Sequence, residues 1–382
     1  MKIVMHSVCF KFFCFLLPII VSTCIVTSGQ IIPENVKKYN LAIKMLNDNP
    51  ENSVKILKSL TNVGDPNGMC LLAELYLEGK GVEKSHVNAI ELLERAAKLN
   101  FAPAINNLGW LHDKGRGFKQ DSTNAHNYYL KSAKLGFEAA QYNLANAYHH
   151  GRGVSRDLIE ATHWYRKAAI QGNKDSQFAL GKLYALKQPK ESFRWMRMAA
   201  DGGHAMAQCE TAKAYLYGTG APQNPGLAFD YFQLATKQDH PEGTFLLGKI
   251  YYEGYGTERN QQKGITLIKK AGSLGRQTAS KLLPKLSVKK FNLLASLQNA
   301  SEGDITSILD LGWNYLEGKN IGKNNAEAYA WFNLAAEFTG DKKHIWARSL
   351  VAKRLDVNEL IDAKKRATQI SELYNIKNPV RK

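Results

Sequence analysis

Three lysines, Lys182, Lys213 and Lys249, recur in one slot of this chain at spacings of 31 and 36 residues; elsewhere the slot holds Glu74, Trp110, Asn146 and Trp313. Residue types so different share no packing role, so the slot reads as outward-facing. Four residues earlier stand Asn106, Tyr142, Phe178 and Phe245, which on a helix lie on the same ridge. Ammonium groups in a ladder, flanked by rings, are suited to an extended, acidic protein segment through charge-assisted hydrogen bonds and aromatic anchors. Asn106, Trp110, Tyr142, Asn146, Lys182, Lys213, Lys249 and Trp313 are therefore the candidate partner-binding residues. The competing reading is that the lysines only solvate a helix face and the rings belong to the core, since single surface charges contribute little.

Other chemistry is thinly represented. His149 and His150 are adjacent and would point about 100° apart on a helix, and His163 has no carboxylate or cysteine pattern beside it, so no metal or other cofactor is expected. Glycine pairs such as Gly151 and Gly153 follow helical patterns and lack the Lys-Ser/Thr of a phosphate loop, which makes them turns. No G-x-S-x-G, no Cys-His pattern and no S-x-x-K tied to further catalytic motifs is present. A non-enzymatic role is expected, and an enzyme of cell-wall or β-lactam chemistry is the alternative.

The elements that must position these residues repeat through most of the chain. Leu72-Ala73, Leu108-Gly109, Leu144-Ala145, Leu180-Gly181, Thr211-Ala212 and Leu247-Gly248 are spaced 36, 36, 36, 31 and 36 residues apart. A unit this short cannot bury its own apolar face and must stack on its neighbours. In Phe137–Gly172, Ala140, Leu144, Ala147 and Tyr148 recur at helical spacing, and Gly151-Arg152-Gly153 ends that helix. A second helix opens at a slot reading Ser85, Asp121, Asp157, Asn224, Asn260 and Asn324, all preferred N-caps. Its body alternates rings with alanine, as in Ala161, Trp164, Tyr165, Ala168 and Ala169. It ends at Asn100, Gly136, Gly172, Gly203, Asp239 and Gly275, which tolerate a left-handed cap. The predicted fold is all-α, a right-handed α/α solenoid of stacked helical hairpins forming one continuous body.

Leu144-Ala145, Tyr148, Gly151-x-Gly153-Val154, Asp157, Ala161, Trp164-Tyr165 and Lys167-Ala168-Ala169, with their copies, resemble the Sel-one-like repeat (SLR) family, relatives of the tetratricopeptide repeat. The resemblance covers residues 64–275 and 303–340. It implies a scaffold or adaptor for another protein, in envelope assembly, signalling regulation or contact with host proteins, with first helices lining the binding face. Ala328–Ala336 and the polar helical segment to Tyr374 look like the last repeat and cap of exported bacterial members. Some exported relatives have been considered penicillin-binding or hydrolytic, but the paired cysteines of each of their repeats are missing here.

The predicted organisation is a signal peptide over 1–29, an N-terminal capping hairpin over 30–63, six repeats over 64–275, a degenerate repeat or bend over 276–302, a further repeat over 303–340 and C-terminal capping helices over 341–382. The fourth repeat lacks five residues at its Gly-x-Gly loop, and Pro284 falls inside a first helix, where it costs about 3 kcal/mol; both should bend the stack. Cys70 and Cys209 share a slot four repeats apart, too far for a disulfide at helix spacings of about 8–10 Å, and read as free, partly buried thiols.

Lys2 and Lys11 before the apolar run Phe12–Val26 read as an export signal, which places the protein in the periplasm or outside the cell. The alternatives are an uncleaved anchor and a lipoprotein acylated at Cys24, although Thr23 is unusual before such a cysteine. The chain carries a net charge of +17; removing residues 1–29 takes two lysines and no acid, leaving +15. That surplus favours anionic partners: an acidic protein face, or an anionic cell-wall polymer. Nucleic acid is not expected of an exported chain without a nucleic-acid-binding signature, and membrane contact is expected only through the signal segment if it is uncleaved or lipidated. Mass spectrometry of the mature N-terminus is expected to read Gln30, and an acylated Cys24 or an intact Met1 would overturn that reading.

Overall fold

A computed structural model describes residues 33–286, 291–318 and 320–378. The signal segment 1–29 and Cys24 lie outside them. The chain divides into two compact units, meeting in sequence between Tyr184 and Ala185, where one continuous body was expected. The first unit holds α1 (Glu34–Met45), α2 (Pro50–Asn62), α3 (Pro66–Glu78), α4 (His86–Lys98), α5 (Ala102–Lys114), α6 (Ser122–Lys134), α7 (Glu138–His150), α8 (Leu158–Ile170) and α9 (Lys174–Tyr184). The second holds α10 (Pro189–Asp201), α11 (Ala205–Tyr217), α12 (Pro225–Lys237), α13 (Pro241–Glu253), α14 (Gln261–Ser273), α15 (Gln277–Leu282), α16 (Leu293–Ser301), α17 (Ile305–Glu317), α18 (Asn325–Thr339), α19 (Lys342–Ala352) and α20 (Val357–Leu373). No strand occurs among the described residues. Each unit is a stack of antiparallel helical hairpins in which most helices pack on the next, while α20 packs back on α18.

The repeated slots explain the hairpins. Ala73, Ala145 and Ala212 are fully buried, and a Cβ on Gly109 would meet the Tyr129 ring at 2.9 Å, so only small residues let the two helices of a hairpin approach this closely. On the second helices, Ala161, Ala168 and Ala169 are likewise buried, with Trp164 and Tyr165 filling the spaces between. All six predicted N-caps accept a backbone hydrogen bond from the first turn, for example Asp157 from the Glu160 N–H at 3.0 Å and Asn224 from that of Leu227 at 3.1 Å. At the predicted helix ends Asn100 and Asp239 adopt left-handed φ of 57° and 54°.

The Gly-x-Gly loops do two separate things. Their first glycine caps the first helix in left-handed geometry, as Gly151 does at φ 68°. Their second glycine lies against the start of the preceding repeat's second helix. A Cβ on Gly153 would fall 1.9 Å from the carbonyl oxygen of Ser122 in α6, one on Gly220 2.1 Å from that of Pro189, and one on Gly256 2.4 Å from that of Pro225. The fourth repeat has neither glycine, and Gln188 makes no side-chain cap before α10. The division between the two units falls in this shortened loop.

Around Pro284 the helix stops: α15 is six residues long, and Leu283–Lys285 continue as a single 3-10 turn. The ring cannot donate a hydrogen bond and crowds the preceding turn. Cys70 and Cys209 are free thiols, each 1% exposed and so more deeply buried than the sequence suggested.

Gly153→Ala is expected to destabilise the first unit more than Gly172→Ala. The latter pays only the left-handed cost of about 1–2 kcal/mol, since nothing lies within 4 Å of its Cβ position. The clash at Gly153 should add about 1–3 kcal/mol. Denaturant melts of the two variants compare these directly, and equal midpoints would show that the loop contact carries no stacking energy.

Candidate partner-binding face

In the first unit the candidate residues stand on α5, α7 and α9. Asn106 does not face outward. It is 3% exposed, and its side-chain oxygen accepts the amide of Asn143 at 2.9 Å from the next repeat, so it ties α5 to α7. Trp110 is half-buried against the first unit's core, with the Arg116 guanidinium 4.9 Å from its ring centre. Asn146 is half-buried and accepts the Tyr165 hydroxyl at 2.8 Å, while Tyr142 lies 6.1 Å from the same Tyr165 ring. Lys182 is exposed.

In the second unit Lys213 and Lys249 stand on the first helices α11 and α13, and each has an acid on its own helix. Lys213 Nζ meets Glu210 at 2.7 Å, and Lys249 Nζ lies 3.7 Å from Glu253. Burial works against the charged form of Lys213, but the Glu210 carboxylate outweighs it and raises its pKa above that of an ordinary lysine. Trp313 is a second correction. It is 3% exposed, edge-on to Phe332 at 4.9 Å, with Arg259 5.6 Å from its ring centre. Gly254 lies so close that a Cβ there would meet the ring at 2.3 Å. The sixth repeat's loop thus closes over Trp313, and Arg259 in that loop pairs with Asp310 and, at 3.7 Å, with Glu317 on the same α17.

The C-terminal helix α19 brings residues to this face that their position in sequence did not reveal. Lys343 Nζ reaches Glu253 at 2.6 Å, Arg354 just past the helix pairs with Glu258, and the Trp346 ring stands edge-on to Tyr255 at 6.0 Å. These contacts span about ninety residues of sequence and follow no repeat period. The available signal was Trp346 itself, a large ring in a helix outside the repeat pattern.

Both cysteines and Tyr165, whose titration is strongly shifted, lie within the packing. Burial raises the Cys70 and Cys209 thiols, the latter to about 12, and raises the Tyr165 hydroxyl, so these groups stay protonated and unreactive. His149 is lowered by burial and by the neighbouring His150 and Arg156; its ring lies 4.6 Å from that of His150, while His163 packs edge-on against Trp164 at 5.3 Å. Among the described residues no group of three or more His, Cys, Asp or Glu side chains is placed to hold a metal ion, and no helix is long and apolar enough to cross a membrane.

Helical hairpins stacked through short glycine loops define an α/α repeat protein. The Sel1 repeat pattern matches residues 66–101, 102–137, 138–173, 174–204, 205–240, 241–275 and 306–337, and the chain belongs to the Sel1 repeat family. A protective antigen present in uropathogenic Escherichia coli strains, which displays an SLR fold, is 26% identical; the match covers 89% of this chain and 77% of that one, with a TM-score of 0.55. A Sel1 repeat protein from Oxalobacter formigenes is 27% identical over 70% of this chain and 96% of its own, with a TM-score of 0.48. An immunity protein from Pseudomonas aeruginosa is 20% identical over 55% of this chain and 83% of its own, with a TM-score of 0.41. Sel1 repeat proteins generally mediate protein–protein interaction.

The two classes of candidate separate by stability. Trp313→Ala is expected to cost about 3–5 kcal/mol, and Lys249→Ala to stay within about 0.5 kcal/mol. Thermal unfolding of the pair measures this, and a well-tolerated Trp313→Ala would return that ring to the list of surface candidates.

Proposed function

We propose that this chain is an exported, non-enzymatic scaffold that holds an acidic or extended protein partner on the first-helix faces of its units. The observation that carries the reading is the slot of Trp110, Asn146, Lys182, Lys213 and Lys249. The repeat commits its small, aromatic and capping slots to packing, yet this slot changes residue type from repeat to repeat and keeps its lysines at the surface. Where it carries lysine, such a face can be varied without disturbing the stack, which is how solenoids present binding surfaces. The net charge of +17 favours an acidic partner, with an anionic cell-wall polymer as the other chemistry it admits.

The charged and apolar run of residues 1–29 supports export to the periplasm or beyond. Of envelope assembly, signalling regulation and host contact, the likeness to an Escherichia coli protective antigen supports host contact. The buried state of the strongly shifted thiols and of Tyr165 supports a binding role over catalysis, which needs such groups in an open cleft.

Affinity capture with the full-length protein, from envelope extract and from host-cell extract, tests this. Replacing Lys213 and Lys249 by Gln is expected to lower recovery of a captured partner about tenfold, equivalent to about 1.4 kcal/mol, while the melting temperature changes little. Equal recovery with both variants would remove the lysine face from the reading.

A further inference from the structure

The second unit contains a cleft of about 440 Å³ whose two walls come from distant parts of the chain. One wall is the first-helix face of α11 and α13; the other is the turn Gly340–Lys343 that begins α19. That volume is in the range of specific ligand pockets. We propose that this cleft docks a segment of the protein partner in which a carboxylate adjoins a bulky apolar side chain. The proposal rests on the scaffold reading and says where and by what chemistry the partner is held.

The floor is apolar and fixed. Leu216, Leu246 and Ile250 line it while remaining largely buried. Gln223 braces the wall, donating to the Leu216 carbonyl at 2.7 Å and to the Tyr255 hydroxyl at 2.8 Å. Tyr217, 63% exposed, extends the apolar surface to the rim. An apolar side chain seated here would remove this surface from water.

The rim is cationic. Lys249, Lys342 and Lys343 face only two carboxylates, Glu253 and Asp341. Both acids are engaged inside the protein: Asp341 accepts the backbone N–H of Lys343 at 2.7 Å and so caps α19, and Glu253 lies between Lys343 at 2.6 Å and Lys249 at 3.7 Å. Glu253 therefore holds two ammonium groups at the mouth of the cleft and cannot neutralise both. A purely apolar ligand leaves that charge unanswered and a purely acidic one leaves the floor wet; a carboxylate beside an apolar side chain satisfies both.

That carboxylate can be the partner's chain terminus or an internal Asp or Glu, and the experiment separates the two. The probe is a fluorescein-labelled peptide, Gly-Ser-Glu-Leu-Phe with a free terminus, titrated against the full-length protein by fluorescence anisotropy. Saturable binding is expected, weaker at higher salt, and about tenfold weaker in Lys342→Glu and when the probe's Phe becomes Ala. Loss on amidation of the probe assigns a terminal carboxylate, and loss on Glu-to-Gln replacement assigns a side-chain one.

Lys342 is exposed, so its reversal leaves the fold intact, and a Lys249→Gln variant provides an independent second reduction of rim charge. No binding, equal binding of an amidated probe carrying Lys for Glu, or indifference to both lysine variants overturns the proposal. A partner captured equally by wild type and by these variants, with the probe failing, leaves the scaffold reading standing and removes the cleft. A probe that binds with the stated sensitivities, with no partner captured, does the reverse.

Discussion

The close passage of one glycine backbone over the start of the preceding repeat's second helix is the contact on which the stacking depends. A β-carbon at Gly153, Gly220 or Gly256 would lie far inside van der Waals contact with a carbonyl oxygen, so any other residue must push two hairpins apart. The N-cap residues belong to the same contact. Asp121, immediately before Ser122, fixes where α6 begins by accepting the Asn124 N–H at 2.9 Å, and thereby fixes the carbonyl surface on which Gly153 rests. Cap and glycine come from different repeats and specify one junction together. This is why the period survives differences elsewhere in each repeat.

Where the junction is missing, the architecture changes. The fourth repeat loses both glycines and its N-cap side-chain bond, and there the chain divides into its two units. At Pro284 a first helix is cut to six residues. The array recovers by a different route: the loop after α13 closes on α17, with Gly254 against Trp313 and Arg259 against Asp310 and Glu317. A glycine that elsewhere only caps a helix here also seats a tryptophan.

The elements were legible because they rest on local chemistry. Caps, left-handed ends and the small-residue slot each depend on residue types within one or two turns, so reading slot by slot recovered the helices and their starts. The face was less legible. Trp313 was assigned outward because its slot varies in type, and Asn106 because it stands on the same ridge as that slot, but variation in type does not distinguish a solvent position from one where a neighbour has adapted. Asn143 supplies the partner that buries Asn106, and Gly254 the space that buries Trp313. The contribution of α19 was invisible for a related reason: Lys343 meets Glu253 across a separation that no period encodes.

The pairing of the lysines also bears on what the proposed face would select. A row of bare ammonium groups attracts any polyanion, with an affinity set by charge density and lost in salt. Lys213 and Lys249 are each held by an acid on their own helix, and Lys343 shares the acid that holds Lys249. An incoming carboxylate must compete with or bridge to Glu210 and Glu253, so charge alone gains little and placement decides. The same acids fix the ammonium positions before binding, which lowers the conformational entropy lost when a matching carboxylate arrives. Paired lysines beside an apolar floor therefore favour a partner of defined shape over a flexible anionic polymer, whose charges are not fixed relative to any apolar group.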